Sequence, residues 1–313
     1  MEQPVVDYSV VIPVYNSEKT LGEVVRRTEA VFTKLACSYE ILLVDDCSRD
    51  RSWEVLKTLR RNNPKIRIFH LIRNFGQHNA IICGFNHCNG KYVVTLDDDL
   101  QHPPEEINKL ISRINEGFSV VYGKYPPEND RFIENYLSRI YQKLIKKILD
   151  IPDSLFISSF VIYRSETVKN IVRIKSSYPF LPAMTIKSAP ITRISNVDVD
   201  HRKRQAGSSN YGLVRYVKYS LNLIINYSSW PLLFVAITGC LISVLSVCYG
   251  LWIIFQRLLD PGYGIMGWNS LMVAITFLGG AQLMSIGIIG EYLRRILAET
   301  SYGQQYVIGE MES

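Results

Sequence analysis

The stretch VVTLDDDLQHPPEE, residues 93–106, sets three carboxylates, Asp97, Asp98 and Asp99, directly after an apolar β-type run and just before two prolines. Like charges this close repel unless a cation sits between them. Where a strand runs into an extended loop, alternate side chains point the same way, so Asp97 and Asp99 share a face and Asp98 points elsewhere. Two carboxylates converging from an open loop suit Mg2+ or Mn2+, hard cations that keep positions for water and substrate phosphates. Capping of the helix that starts near Pro103 accounts for one of the three acids at most.

The elements that must hold these acids are legible around them. YSVVIPVYN, EILLVDDCS, IRIFHLIRN, KYVVTLDDD and FSVVYGK are apolar runs, and the first four close in polar residues. Helix-length segments lie between them, among them Glu18–Leu35, Asp50–Asn62 and Pro103–Glu116. Strands apolar on both faces alternating with helices predict a mostly parallel α/β sheet. Ligands in such sheets bind beyond the carboxyl ends of the strands. The polar residues collect there: Asn16, then Asp45 and Asp46, then Arg73 and Asn74, then Asp97 to Asp99. No GxGxxG follows the first strand and no GxxxxGK[ST] occurs, so a nucleotide must be held by carboxylates, a metal and basic side chains.

The apolar residues are unevenly spread over the 313 positions. No residue between Lys218 and Arg257 carries a formal charge, and Pro231 to Phe255 is almost wholly apolar. That exceeds the roughly 20 residues a helix needs to cross a bilayer. A second uncharged run, Pro261 to Gly290, follows the short turn RLLDPGYG, and the two read as a transmembrane hairpin. HRKRQ with Arg215 and Lys218 precedes the first span, and Arg294 and Arg295 follow the second. The positive-inside rule then places both termini in the cytoplasm of an inner, or cell, membrane protein. No cleaved signal peptide is read at the N-terminus.

RFIENYLSRIYQKLIKKIL, Arg131 to Leu149, and YGLVRYVKYSLNLIINY, Tyr211 to Tyr227, alternate basic and apolar residues at helical spacing, as interfacial helices do. The expected organisation is a cytosolic domain over 1–210 that includes the interfacial helix 131–149, and a second interfacial helix over 211–228. A hairpin over 229–296 follows, with spans at about 231–256 and 267–290, and then a cytosolic tail, 297–313. The net charge of +6 gathers near the membrane-proximal segments, which suits an anionic lipid surface and phosphorylated ligands rather than nucleic acid. The six cysteines form no CxxC pair. Cys83, His87 and Cys88 with His78 read as packing residues of a helix rather than a metal site.

VVIPVYNSE, EILLVDDCSRDRSWE, RNFGQHNAIICGFNHCNGKYVVTLDDDLQHPPEE and the C-terminal IGIIGEYLRRI together resemble a family 2 glycosyltransferase of the Rossmann-like GT-A fold. The resemblance is nearest to the polyprenyl-phosphate subgroup, which includes dolichol-phosphate mannose synthase and the GtrB-type and ArnC-type transferases. It implies a membrane-anchored inverting enzyme that moves a sugar from a nucleotide-sugar, with UDP preferred, to polyprenyl (undecaprenyl) phosphate for cell-envelope glycan modification. It implies Asp97 and Asp99 as metal ligands and catalytic residues with Gln101 completing the metal site. Pro13, Tyr15, Asn16 and Glu18 would line the nucleotide, as would Asp45 or Asp46 and also Asp98. In relatives a loop after the catalytic core closes over the donor diphosphate; His201, Arg202, Arg204, Ser209 and Tyr211 match it, with Arg202 and Arg204 as catalytic cations. Relatives often carry Lys where this chain has Ser208, a contact that Lys203 could supply. The resemblance further implies a homo-oligomer, a tetramer in relatives.

One departure bears on mechanism. Where relatives read Gly-Asp-Phe-Arg-Leu, this chain reads Ser158-Ser159-Phe160-Val161-Ile162, so Ser159 takes the place of an aspartate sometimes proposed as a base. A phosphomonoester with a second pKa of about 6 is largely dianionic at neutral pH and needs positioning more than a base. The competing readings are an inactive membrane scaffold of glycosyltransferase shape, a transferase with another acceptor, and a processive synthase. The last lacks its QxxRW motif here. A small transporter would need polar residues within the spans, where Gln282 is the clearest one.

Overall fold

The computed structural model describes residues 6–125, 142–176, 179–200, 230–259, 267–301 and 305–312. The chain divides into two units, Met1–Tyr216 with Tyr302–Ser313, and Val217–Ser301.

The first unit is built on one eight-stranded sheet. β1 (Val6–Val14), β2 (Tyr39–Asp45), β3 (Ile66–Leu71) and β4 (Gly90–Thr95) alternate with α1 (Leu21–Leu35), α2 (Ser52–Asn62) and α3 (Gln77–His87). After β4 come a 3-10 turn at Pro104–Glu106, α4 (Ile107–Ile114), β5 (Val120–Lys124) and helical residues 142–149, here α5. β6 (Val161–Arg164), α6 (Ser165–Arg173), α7 (Leu181–Ser188), β7 (Ile194–Asp198) and, much later, β8 (Ile308–Glu312) complete the unit. The strand order is β7-β5-β6-β4-β1-β2-β3-β8.

β1 pairs parallel with β2 and β4, β2 with β3, and β5 with β7, whereas β6 runs antiparallel between β4 and β5 and β8 antiparallel along β3. The mostly parallel sheet expected from the sequence is therefore present. The apolar runs are strands for the reason the alternation argument gives: every residue of β2 is buried, as are the last seven of β1, so both faces are covered. Fully burying one such Val, Leu or Ile side chain contributes about 1.5–3 kcal/mol. α3 lies so close to β1 that a Cβ at Gly84 would meet Val11 Cγ1 at 2.3 Å. Pro13 is accommodated in a central strand because pairing of β1 with β4 ends at Val11–Thr95, before the missing N–H matters.

The second unit contains α8 (Trp230–Leu259) and α9 (Trp268–Ser301). Two long helices stand where the hairpin spans are expected. Among the described residues no helix is long and apolar enough to cross a membrane. The sequence reading begins its tail at residue 297, but α9 continues to Ser301 and residues 308–312 return to the sheet of the first unit. Residues 131–141 and 211–228, most of the expected interfacial helices, lie outside the described residues.

Candidate active site

The carboxyl ends of β1, β2 and β4 come side by side, and the loop after each contains a non-glycine residue in the left-handed region: Asn16 (φ 55°), Cys47 (φ 58°) and Leu100 (φ 61°). Asn tolerates that conformation, but for Cys and Leu it costs free energy. Such strain persists only where surrounding contacts impose it, and it gathers at functional sites.

Here the contacts are polar and mutual. Asn16 donates its N–H to Ser48 Oγ (2.9 Å) and accepts from Arg49 N on Oδ1 (2.7 Å). Glu18 accepts from Arg51 N (3.0 Å) and donates its own N–H to Asp50 Oδ2 (3.2 Å). The β1 loop and the β2 loop are thus stitched together. Tyr15 projects from that seam with 44% of its surface exposed, while Pro13 is buried in β1 opposite Val44. Of the expected nucleotide-lining residues, Tyr15 and Asn16 are the exposed ones and Pro13 supports them from within the strand.

Asp45 and Asp46 are both buried. Asp45 Oδ2 meets His70 Nδ1 at 2.6 Å, and both its oxygens accept from Ser48 N at 3.3 Å. Asp46 accepts from Phe75 N (2.7 Å) and Gly76 N (2.8 Å), the backbone just ahead of α3. Burial raises the Asp46 pKa above the usual carboxylate value, and these two N–H groups pull against that. Both acids shape backbone around the site in this conformation.

The three aspartates have different partners, and Asp98 and Asp99 lie in a turn rather than an extended loop. Asp98 turns to the β1 loop, accepting from Tyr15 N (3.1 Å) and from the Ser17 hydroxyl. Enclosure there pushes its pKa up to about 7, against the effect of those two donors and helped by the charges of Asp97 and Asp99. Asp97 accepts from Gln77 Nε2 on Oδ1 (2.7 Å) and from Ser159 Oγ on Oδ2 (2.5 Å). Asp99 Oδ1 accepts from Gln101 N at 3.1 Å. Ser159 is itself located by Thr95, whose hydroxyl donates to the Ser159 carbonyl (2.7 Å). Asp97, Asp98, Asp99, Gln101 and Ser159 therefore form one cluster, which Gln77 and Ser17 join from neighbouring loops.

Gln77 and Ser17 escape a reading by motif because their partners lie 20 and 81 positions away. The available signal for Gln77 is its place: the first residue of α3, following a strand end where polar residues collect. Arg202, Arg204, Ser209 and Tyr211 lie outside the described residues.

The donor set fits a hard divalent cation. Asp97 and Asp99 offer carboxylate oxygens, the ligand type such a cation prefers, and the Gln77 and Ser159 donors orient Asp97. Among the described residues no group of three or more His, Cys, Asp and Glu side chains is arranged to hold a metal. A cation here would draw its remaining ligands from Gln101, water and substrate phosphate. Cys83, His87 and Cys88 belong to packing: His87 Nδ1 lies 2.8 Å from the Cys83 carbonyl, Cys88 Sγ faces the Phe85 carbonyl, and burial pushes both thiols up to about 12.

Known proteins share the sequence and the fold of this chain. Residues 9–172 match the family described as glycosyl transferase family 2. The chain is 34% identical over 302 residues to an undecaprenyl-phosphate 4-deoxy-4-formamido-L-arabinose transferase of Edwardsiella ictaluri, covering 96% of this chain and 92% of that one. It is 32% identical over 307 residues to the protein of that name in Klebsiella pneumoniae, covering 97% and 93%. Glucosyl-3-phosphoglycerate synthase from Mycobacterium tuberculosis, solved with Mn2+, UDP and glucosyl-3-phosphoglycerate, shares the fold at a TM-score of 0.51 and 18% identity, over 70% of this chain and 78% of that one. The same enzyme with Mg2+ and UDP gives a TM-score of 0.52 at 16% identity, over 70% of this chain and 78% of that one. The family match and the near full-length relatives carry the assignment: the chain belongs to glycosyl transferase family 2.

Proposed function

We propose that this chain is a membrane-anchored inverting glycosyltransferase that moves a sugar from a nucleotide-sugar, UDP-linked by preference, to undecaprenyl phosphate at the cytoplasmic leaflet. The observation that carries the reading is likeness over 96% of the chain, catalytic sheet and helical hairpin alike, to transferases named for undecaprenyl phosphate. The Asp97–Asp99 cluster at the strand ends supports the same chemistry.

The reaction is a single displacement. An oxygen of the acceptor phosphate forms a bond to the anomeric carbon as the bond from that carbon to the donor diphosphate breaks, and the nucleoside diphosphate departs with the electron pair. A Mg2+ or Mn2+ ion held by Asp97, Asp99 and Gln101 would supply charge stabilisation for the leaving diphosphate. Gln77 and Ser159 orient Asp97 for that task. Ser159 donates its hydroxyl proton to a carboxylate, an arrangement that serves orientation rather than proton abstraction. No base is required, since the acceptor phosphate is largely dianionic at neutral pH. Tyr15, Asn16 and Glu18 line the donor's nucleoside, and by resemblance to relatives Ser209 and Tyr211 also bind the donor while Arg202 and Arg204 neutralise its phosphates.

The uncharged runs of the sequence at 231–256 and 267–290 fall on α8 and α9. Their exposed Leu, Ile and Phe side chains suit lipid, which supports a multi-pass anchor with both termini cytoplasmic. We assign the assembly as a homo-oligomer, a tetramer by resemblance to relatives.

The test is transfer from a panel of radiolabelled UDP- and GDP-sugars to undecaprenyl phosphate by purified full-length protein with Mn2+ or Mg2+, beside Asp99→Ala. Labelled lipid that needs the cation and vanishes in the variant supports the reading and names the sugar. Folded protein that labels no lipid with any donor overturns it in favour of another acceptor or an inactive scaffold.

A further inference from the structure

The segment after α9 does not end as a free tail. Gln305 Nε2 donates to the Ile174 carbonyl, at the end of α6, at 3.4 Å. Ile72 N, just beyond β3, donates to the Val307 carbonyl (3.1 Å). β8 then covers the open edge of β3, pairing Glu310 with His70 and Ile308 with Leu71. An edge strand needs such a cover, and structural closure explains the backbone pairing by itself.

The side chains do more than close an edge. Glu310 Oε2 accepts from Trp53 Nε1 at 3.2 Å, across 257 positions of sequence. The Trp53 ring lies against the His70 imidazole, with centroids 4.9 Å apart. His70 Nδ1 contacts buried Asp45 Oδ2 at 2.6 Å, and Asp45 receives Ser48 N, whose hydroxyl in turn accepts Asn16 N. An unbroken chain of contacts therefore runs from the last strand of the protein to the loop that presents Tyr15 and Asn16. Edge closure alone would not require Trp53, which sits on α2, to find its partner on β8.

We infer that β8 is a positioning element of the donor site: Glu310, through Trp53, His70 and Asp45, holds the β1 and β2 loops in the shape that receives the nucleoside diphosphate. This rests on the donor reading proposed above. The strand that follows the membrane hairpin thereby becomes part of the nucleotide-binding half of the enzyme, and donor affinity depends on residues more than 200 positions from the loops that touch the donor.

Titration of UDP and of GDP with Mn2+ into detergent-purified full-length protein tests this, comparing wild type with Trp53→Phe, Glu310→Ala and Glu310→Gln. Trp53→Phe and Glu310→Ala each remove one hydrogen bond to a charged partner at a sheet edge, and a three- to tenfold rise in Kd is expected for both. Glu310→Gln keeps an oxygen acceptor for the indole N–H and should stay within twofold of wild type. In the transfer assay Trp53→Phe and Glu310→Ala should raise KM for the donor while kcat and the KM for undecaprenyl phosphate stay at the wild-type level, a split that loss of folded protein cannot produce. Wild-type protein that binds neither nucleotide would overturn the donor reading itself. Wild-type binding that Trp53→Phe and Glu310→Ala match, or a Glu310→Gln variant as weak as Glu310→Ala, would overturn the positioning role alone.

Discussion

In the loops around Asp98, polar atoms meet polar partners drawn from three separate strand ends, while along α8 and α9 the described surface shows Leu233, Phe234, Leu245, Leu283 and Met284 half or more exposed. The first region surrounds half-buried carboxylates with hydrogen-bond donors. The second keeps large apolar side chains exposed among the described residues. A soluble surface tolerates scattered apolar residues but not two helices of them. Under the proposed membrane anchor the two units answer to different solvents, so a substitution harmless in one should be decisive in the other.

The largest effect is expected at the metal aspartate. Asp97→Ala should lower transfer about a thousandfold, since a lost charge contact to the leaving group is worth several kcal/mol and each 1.36 kcal/mol is tenfold. The same variant should sediment with membranes as wild type does, and a membrane defect would break the separation of the two units. The converse substitution sharpens it. Leu245→Arg, in α8, should cost about 2.5–3.5 kcal/mol of insertion, read as protein lost from the membrane fraction, and Mn2+-dependent UDP binding by the remaining soluble protein should persist.

Smaller changes probe the support of the aspartates. Gln77→Ala and Ser159→Ala should each lower transfer or cation affinity by about 10- to 100-fold, as loss of an outer-shell partner does. A Ser159→Ala variant inactive to the level of Asp97→Ala would assign that hydroxyl a direct chemical role. The smallest expected effect concerns Asp98 in protein freed of divalent cations. Its pKa is raised from the ordinary 3.8 to about 7, so the fold favours the protonated carboxyl. That contribution is fully present below about pH 4 and is lost as pH rises through about 7. Melting temperature of wild type relative to Asp98→Asn should therefore fall across this window and level off above it; a difference constant with pH would contradict the enclosure of that carboxylate.

Much of the donor half was legible because its strands are long, apolar on both faces and end in polar clusters, as β1, β2 and β4 do. The run VVTLDDD marked Asp97, Asp98 and Asp99 as a polar cluster at a strand end. It did not show which wall Asp98 faces, since its partners are the Tyr15 N–H and the Ser17 hydroxyl in another loop. β8 was not legible at all. IGEME is short, mostly exposed and without alternation that favours a core, so only its pairing with β3 marks it as a strand. β6 is four residues long and runs antiparallel inside a parallel sheet, a reversal that composition does not announce. Pro13 illustrates the same limit, because a residue in a motif can serve the site from inside a strand without facing it.

The central claim is that one polypeptide joins a nucleotide-sugar site to a lipid phosphate acceptor, and the lipid product tests it most directly. Wild-type protein given the active donor, Mn2+ and undecaprenyl phosphate should yield lipid heavier by one sugar residue, with the anomeric configuration inverted relative to the donor by NMR. A product that retains the donor's configuration, or free sugar released at the same rate with and without the lipid, would contradict the account.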